Sequence, residues 1–342
     1  MILSIVKSIF KNTLCFSLSL AFLLSHGVEA QVPGRRKVDV VPVDVEIAYK
    51  KGLSFLASIQ AADGSFSKND SRYSRQPGIT GICVLAFLAH GEDPEYGPYS
   101  KNIKLGIDFI LKNQTDDGYI GSSMYNHGFA TLALAEAYGM IEDDRLAGAL
   151  IKSVARLTSS QDRNPKGAWR YSPQDISADT TVAGCQLVAL LAARNAGIPV
   201  PDKNIDKALA YLQSCRASNG GYGYTSKSSP RSTLTAIGSL CLSLAKKKDD
   251  KSFDTITNFL ISRKAGGSHQ YIYYHEYYMA QALFHANEEE WKKWNETNTK
   301  IMTAAQSPDG GWNDKRMGRS GATGFALLSM ALNYRFLPIY EK

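Results

Sequence analysis

Four side chains in this 342-residue chain stand out as candidates for moving protons: Asp179, His127, His275 and Glu276. A carboxyl kept protonated by burial can serve as a general acid, and an imidazole titrating near neutral pH can serve as acid, base or metal ligand. Spaced along the chain with them stand Tyr73 and Arg75, Tyr125 and Asn126, Trp169, Arg170 and Tyr171, Arg231, Tyr273 and Tyr274, and Arg316 and Arg319. Such residues pair with anions, stack on sugar rings or hold a carbocation by cation–π attraction. The densest aromatic group, Tyr271, Tyr273, Tyr274, Tyr277 and Tyr278, surrounds His275 and puts Tyr274, Tyr277 and Tyr278 on one helix face. Plainer roles compete with these. Asp179, Ser232 and Ser320 are suited to cap helix starts, where a short acceptor satisfies free N–H groups, and tyrosines can simply pack with their hydroxyls at a rim. Capping does not account for Tyr, His and Arg at equivalent offsets, and His127 and His275 occupy similar places. No Cys/His pair has ligand spacing, so neither a metal nor another cofactor is expected.

What must position these residues is a repeat. QSPDGGW at Gln306–Trp312 recurs as QAADGSF at Gln60–Phe66, as QTDDGY at Gln114–Tyr119 and, more loosely, as QDRNPKGAW at Gln161–Trp169. A degraded copy runs from Gln213 to Gly220, Gly221 and Tyr222, and another near Ser262–Tyr271 keeps Gly266 and Gly267 without the Gln. Six units at roughly 45–55-residue spacing define a repeat protein. An amphipathic helix precedes each Gln, as in Val45–Gln60, and a nearly all-apolar helix follows each turn, as in GFATLALAEAYG at Gly128–Gly139. The Gln (Gln60, Gln114, Gln161, Gln306) is expected to satisfy the last carbonyls of its own helix. Gly64, Gly118, Gly167 and Gly310 turn the chain, and Phe66, Tyr119, Trp169 and Trp312 cover the helix end. The expected architecture is all-α: six pairs of a polar outer and a small-residue inner helix.

The pattern resembles the α/α-toroid superfamily of terpenoid cyclases and protein prenyltransferase β subunits. MYNHGFATLALAEAYGM (Met124–Met140), GAWRYSP (Gly167–Pro173), DTTVAGCQLVALLAARNAGIPVP (Asp179–Pro201) and NYRFLPIY (Asn333–Tyr340) are similar to the exported prenyltransferase and squalene oxidase repeat proteins of bacteria. The resemblance covers about Asp44–Tyr340 and implies an (α/α)6 toroid, with inner-helix N-termini converging on one mouth of a central cavity. It does not carry over the family's chemistry. No Asp-x-Asp-Asp acid element is present, no Asp-Asp-x-x-Asp site, no Asp-x-Cys zinc pair and no Gly-Cys-Gly-Glu-Gln thioester; Gly184-Cys185-Gln186 is not one.

Residues 1–30 read as an export signal: Lys7 and Lys11 precede an apolar run from Leu14 to Leu24, with Val28-Glu29-Ala30 before a cut. That run is short for a membrane span, so no transmembrane segment is expected after cleavage, and the mature protein is expected in the periplasm or secreted. Residues 31–43, with Arg35-Arg36-Lys37, form a flexible lead-in and 44–342 a single toroid domain. The formal charge of +7 loses two lysines and one glutamate with the signal and becomes +6. Its cations are scattered, and Lys246-Lys247-Lys248 is answered by Asp249 and Asp250, which argues against nucleic acid. Cys83, Cys185, Cys215 and Cys241 show no disulfide framework, although an oxidising compartment would permit Cys215 to meet Cys241.

Three functions remain on the sequence. The preferred one is a binding or assembly module holding a glycan, isoprenoid or peptide in the central cavity. A second is a polysaccharide lyase or hydrolase, using the Arg, Tyr, His and Asp residues to neutralise a uronate and abstract a proton. A third is a cyclase-like isomerase of an isoprenoid with Asp179 as a substitute acid.

Overall fold

A computed structural model of the protein describes residues 41–340 except 67–72, 74, 249–250, 264 and 267–269. The expected signal segment, the lead-in up to residue 40, Asp249, Asp250 and Gly267 lie outside the described residues. Among the described residues twelve α-helices follow in order: α1 (Val43–Ile59), α2 (Pro77–His90), α3 (Ser100–Lys112), α4 (Met124–Tyr138), α5 (Arg145–Arg163), α6 (Thr180–Asn195), α7 (Asp202–Ser214), α8 (Ser232–Leu244), α9 (Lys251–Ile261), α10 (Ile272–Ala286), α11 (Glu288–Ala305) and α12 (Gly318–Met330). Two 3-10 turns, Ala331–Asn333 and Pro338–Tyr340, come last among the described residues. No helix among the described residues is long and apolar enough to cross a membrane.

Odd and even helices differ as their patterns require. In α5 the buried residues return every three or four positions, Leu146, Ala149, Leu150, Ser153, Val154 and Leu157, which is one face. In α6 every residue from Val182 to Ala193 is buried. The even helices are therefore inner, and they pack in the order α2, α4, α6, α8, α10, α12, with α12 returning to α2 to close the ring. Small residues let them approach: a Cβ on Gly184 would stand 2.0 Å from Ile237 Cγ2, and one on Gly128 2.7 Å from Cys185 Sγ. Gly321 lies against Ile79 and Gly324 against Ile82, three residues on in both helices. The two helices are thus parallel, and with every inner helix so directed their N-termini share one end of the ring.

The turns join each outer helix to the next, which corrects the role expected of the glutamine. Gln60 Nε2 donates to Asn102 O on α3 at 2.9 Å as well as to Gly64 O at 3.1 Å, instead of to its own helix. Gln114 reaches Ala149 O on α5, and Gln161 reaches Asn204 O on α7, at 2.9 and 2.8 Å. Gln306 donates at 2.8 Å to Ala48 O on α1, closing the outer layer as well. The indole takes the role assigned to the Gln: Trp312 Nε1 donates to Met302 O at 2.8 Å and Trp169 Nε1 to Leu157 O at 3.0 Å, each on its own outer helix. Glycine is required beside the neighbour's backbone, since Gly64 has φ +92° and a Cβ there would lie 1.9 Å from Leu105 O.

Two registers also differ from expectation. Antiparallel bridges pair Gln60 with Phe66, Gln114 with Ile120 and Arg216 with Tyr222. Arg216 therefore stands where Gln213 was expected, and buried Ile120 fills the slot expected of Tyr119. The four cysteines of the described residues are free and buried, so Cys215 and Cys241 form no bridge.

Candidate functional site

The ring is blocked along its axis by aromatic side chains. Phe129 on α4 meets Tyr274 on the opposite inner helix, α10, at a centroid distance of 6.5 Å, and both contact Phe325 of α12 at 5.5 and 5.6 Å. Tyr277 and Tyr278 pack around them at 5.4 and 4.9 Å. The tyrosine face anticipated around His275 is thus largely a plug. Tyr274 keeps part of its ring exposed while its hydroxyl is buried.

Above that plug, the N-terminal end of the ring gathers a second aromatic group. Tyr125, in the first turn of α4, stacks parallel to Phe129 at 6.5 Å and lies 6.2 Å from Tyr171, which is 46% exposed. The Tyr171 and Tyr224 hydroxyls are hydrogen-bonded to each other. The Arg170 guanidinium lies over both rings, 5.2 Å from Tyr171 and 5.8 Å from Tyr224. Backbone bonds position these side chains: Met124 N–H donates to Tyr171 O and Thr180 N–H to Tyr224 O, both at 2.8 Å, so the turns leading to α6 and α8 are pinned onto the starts of α4 and α6. The Tyr125 hydroxyl donates to Thr181 Oγ1 at 2.5 Å, and Thr181 donates in turn to Asp179 Oδ1 at 2.5 Å. Asp179 is fully buried and caps α6, the same Oδ1 accepting the N–H groups of Thr181 and Val182 at 3.0 and 2.9 Å. Ser123 caps α4 in the same manner, whereas Ser232 and Ser320 cap nothing.

The histidines lie elsewhere and do different work. His127 Nδ1 accepts the Ile120 N–H at 3.2 Å, the ring packs on Tyr119 at 5.3 Å, and burial pushes the imidazole down to about 3. Thr235 and Thr323 make the equivalent bond to the N–H groups of Tyr222 and Trp312, and Glu276 accepts the Gly266 N–H at 2.6 Å. His127 and His275 share a register, each donating its backbone N–H to the residue that starts its helix, Ser123 and Tyr271, while Glu276 holds a turn glycine that corresponds to Gly118. His275 Nδ1 instead meets Thr233 Oγ1 at 2.8 Å, clasping α10 to α8, as Asn126 clasps α4 to α2 through Gln76 Oε1 and the Gly78 N–H. Burial raises the Glu276 carboxyl to about 7, and one of its oxygens holds the Gly266 turn.

The arginines separate too. Arg75 pairs with Asp63 within its own turn, beside Tyr73. Arg319 forks onto Asp309 at 2.7 and 2.5 Å and covers Phe55 at 4.5 Å, and Arg316 covers Tyr271 at 5.7 Å. Arg231 points to solvent, Trp169 is core, and Tyr273 is buried. Of the residues singled out by sequence, Asp179, Tyr125, Arg170, Tyr171 and Tyr274 converge; His127, His275, Glu276, Asn126, Tyr73, Arg75, Arg231, Tyr273 and Arg319 do not. Tyr224 and Thr181 were missed. An aromatic-x-Tyr signal, Trp169-Arg170-Tyr171 and Tyr222-Gly223-Tyr224, marks the first.

A cleft of about 790 Å³ opens beside this group, on the outer shoulder between the turn after α5 and helix α7. Arg170 is shared between the cleft and the tyrosines, and Tyr211 lines its inner wall.

A closed ring of paired helices with a polar aromatic mouth defines the class of α/α toroids. The chain belongs to the prenyltransferase alpha-alpha toroid domain family, whose model matches residues 44–131 and 95–315. No curated protein matches by sequence. Among solved structures it is similar to the GH76A alpha-1,6-mannanase from Salegentibacter sp. HEL1_6 (TM-score 0.64, 9% identity, covering 84% of this chain and 98% of that one). It is similar as well to the type II terpene cyclase MstE from Scytonema (TM-score 0.60, 14% identity, covering 86% and 99%). A variant of the mannanase has been solved with alpha-1,6-mannotriose, and one of the cyclase with geranylgeranyl dihydroxybenzoate. At these identities the likeness is one of fold.

Proposed function

We propose that the chain is a binding module that takes a saccharide at the open mouth of the ring. The observation that carries this reading is the set of tyrosine faces, Tyr125, Tyr171, Tyr224 and Tyr274, gathered beside Arg170 above an axis filled by Phe129 and Phe325. Tyrosine rings stack on the C–H faces of sugars while their hydroxyls and those of Thr181 and Thr233 meet sugar hydroxyls. The mannanase variant solved with mannotriose supports a saccharide as a ligand for a chain of this fold. An isoprenoid of cyclase-substrate length needs depth along the axis, where Phe129, Tyr274 and Phe325 meet. The carboxylate offered by sequence as a cyclase acid, Asp179, holds the start of α6. Export by the N-terminal segment belongs to this proposal and is checked by whether the mature protein begins near Gln31.

The test is calorimetric titration of the purified protein with a panel of oligosaccharides, assayed in parallel for new reducing or unsaturated ends. Saturable binding without cleavage, weakened about tenfold by Tyr171→Ala, is the expected result. Cleavage that disappears in Asp179→Asn would instead make the protein a hydrolase or lyase, and turnover of an isoprenoid would return the cyclase reading.

A further inference from the structure

We infer that the shoulder cleft is an anion subsite, so that the saccharide held by this protein is an acidic one, bearing carboxylate or sulfate; this rests on the reading of the mouth as a saccharide site. The cleft has the volume of an ordinary ligand pocket. Its charged lining consists of Lys166, Arg170 and Lys207, with no acidic residue among the side chains that line it. Lys207 is answered by Asp162 at 2.8 Å. Arg170 and Lys166 make no ion pair among the described residues, and Arg170 is held by two aromatic faces, an arrangement that fixes the guanidinium while leaving its N–H groups available. A guanidinium fork presented in this way matches a planar carboxylate or a sulfate.

The wall of the cleft is held rigid. Asn164 is buried, donates to Asp175 O and Ser177 O at 2.9 Å each, and accepts the Lys166 N–H at 2.9 Å, fixing both edges of the loop that carries Arg170. Hydroxyls of Ser177, Ser214 and Thr225 supply the neutral contacts a sugar needs. Arg170 divides the cleft from the tyrosine mouth. A saccharide stacked on Tyr171 and continuing over this residue would bring its next acidic group to the guanidinium and to Lys166.

The experiment titrates the purified protein with tetragalacturonate, its methyl ester, a chondroitin sulfate tetrasaccharide and neutral mannotriose. Expected are binding of at least one acidic probe with an affinity that falls as salt rises, and an ester at least about tenfold weaker than its acid, the loss of one charge-assisted hydrogen bond. Arg170→Gln and, independently of any effect on folding at the mouth, the exposed Lys166→Gln should each weaken the acidic probe and flatten its salt dependence. The carboxylate and sulfate arms identify the anion, and either one supports the inference. An ester that binds as tightly as the acid while the sulfated probe shows no salt-dependent binding overturns it, as do unchanged acidic affinities in both variants or no acidic binding at millimolar concentration. In those cases mannotriose binding that is lost in Tyr171→Ala would leave the mouth reading standing.

Discussion

The two ends of the ring are built from the same inner helices and treated in opposite ways. Where the inner helices end, the chain returns over its own ring: Leu337, Ile339 and Tyr340 are buried, and the Ile339 N–H donates to Glu136 Oε2 at 3.2 Å. Tyr334 packs on Tyr49 and His90 at 5.0 and 4.8 Å, its hydroxyl bonded to Glu46 at 2.8 Å. Where the inner helices begin, Tyr125, Tyr171 and Tyr224 are braced by hydroxyl bonds and by the Arg170 guanidinium, with no covering segment like this one among the described residues. Aromatic area buried by the chain contributes stability, whereas aromatic area left exposed and fixed at a rim is what a ligand can use. The difference teaches that function should be sought at the N-terminal end, and it can be attacked from both sides.

The largest effect belongs to the sealed end. Tyr340→Ala removes a buried ring and should cost about 3–5 kcal/mol in urea-induced unfolding, while leaving saccharide affinity within the error of the measurement. An equal loss of affinity would show that the ends are not separate. Glu136 gives the next effect. Burial raises its carboxyl from 4.5 to about 8, so the native state holds a proton that the unfolded state has lost between those values. Its stabilising contribution is complete below pH 4.5 and falls away as pH rises through 8. Glu136→Gln should abolish that decline, measured as unfolding free energy against pH.

A smaller change probes the repeat itself. His127 occupies the place that Thr235 and Thr323 fill in their repeats, so His127→Thr should keep the bond to the Ile120 N–H and cost about 1 kcal/mol at neutral pH. Because the imidazole is pushed down from 6.5 to about 3, the unfolded state takes up a proton first as pH falls through that window, and the wild type loses stability there. The threonine variant should lose less on the same acid titration; an unchanged acid limb would place the sensitivity elsewhere.

These positions also mark what could be read from residues alone. Helix pairs, their inner and outer roles and the turn glycines were legible because periodicity and positive φ leave local marks in the chain. The partner of each Gln was not, since Gln60 and Asn102 meet only when outer helices stand side by side. His127 and His275 do stand at equivalent places of a helix start, yet the ring of one holds a turn N–H and that of the other meets a neighbouring helix, which residue type and spacing do not reveal. The mouth was half legible. Tyr125 and Arg170 could be named, but their grouping with Tyr224 depends on backbone bonds between turns about fifty residues apart.

The smallest expected effect on stability is the sharpest comparison between the ends. Tyr171→Ala deletes a ring that is 46% exposed and touches its neighbours only at the rim. Its hydroxyl bond to Tyr224 lies in solvent, where net hydrogen-bond contributions are modest, so the unfolding free energy should change by less than about 1 kcal/mol. Saccharide binding should nevertheless weaken about tenfold, because the lost surface is ligand-facing and Arg170 loses one of its two aromatic supports. Tyr171→Phe separates the two causes: it keeps the stacking face and the guanidinium support and removes only the hydroxyl bond. It should retain most of the affinity. Should the phenylalanine variant bind as weakly as the alanine one, the hydroxyl pair would be the recognition element, and the open end would work by hydrogen bonding to the ligand instead of by stacking against it.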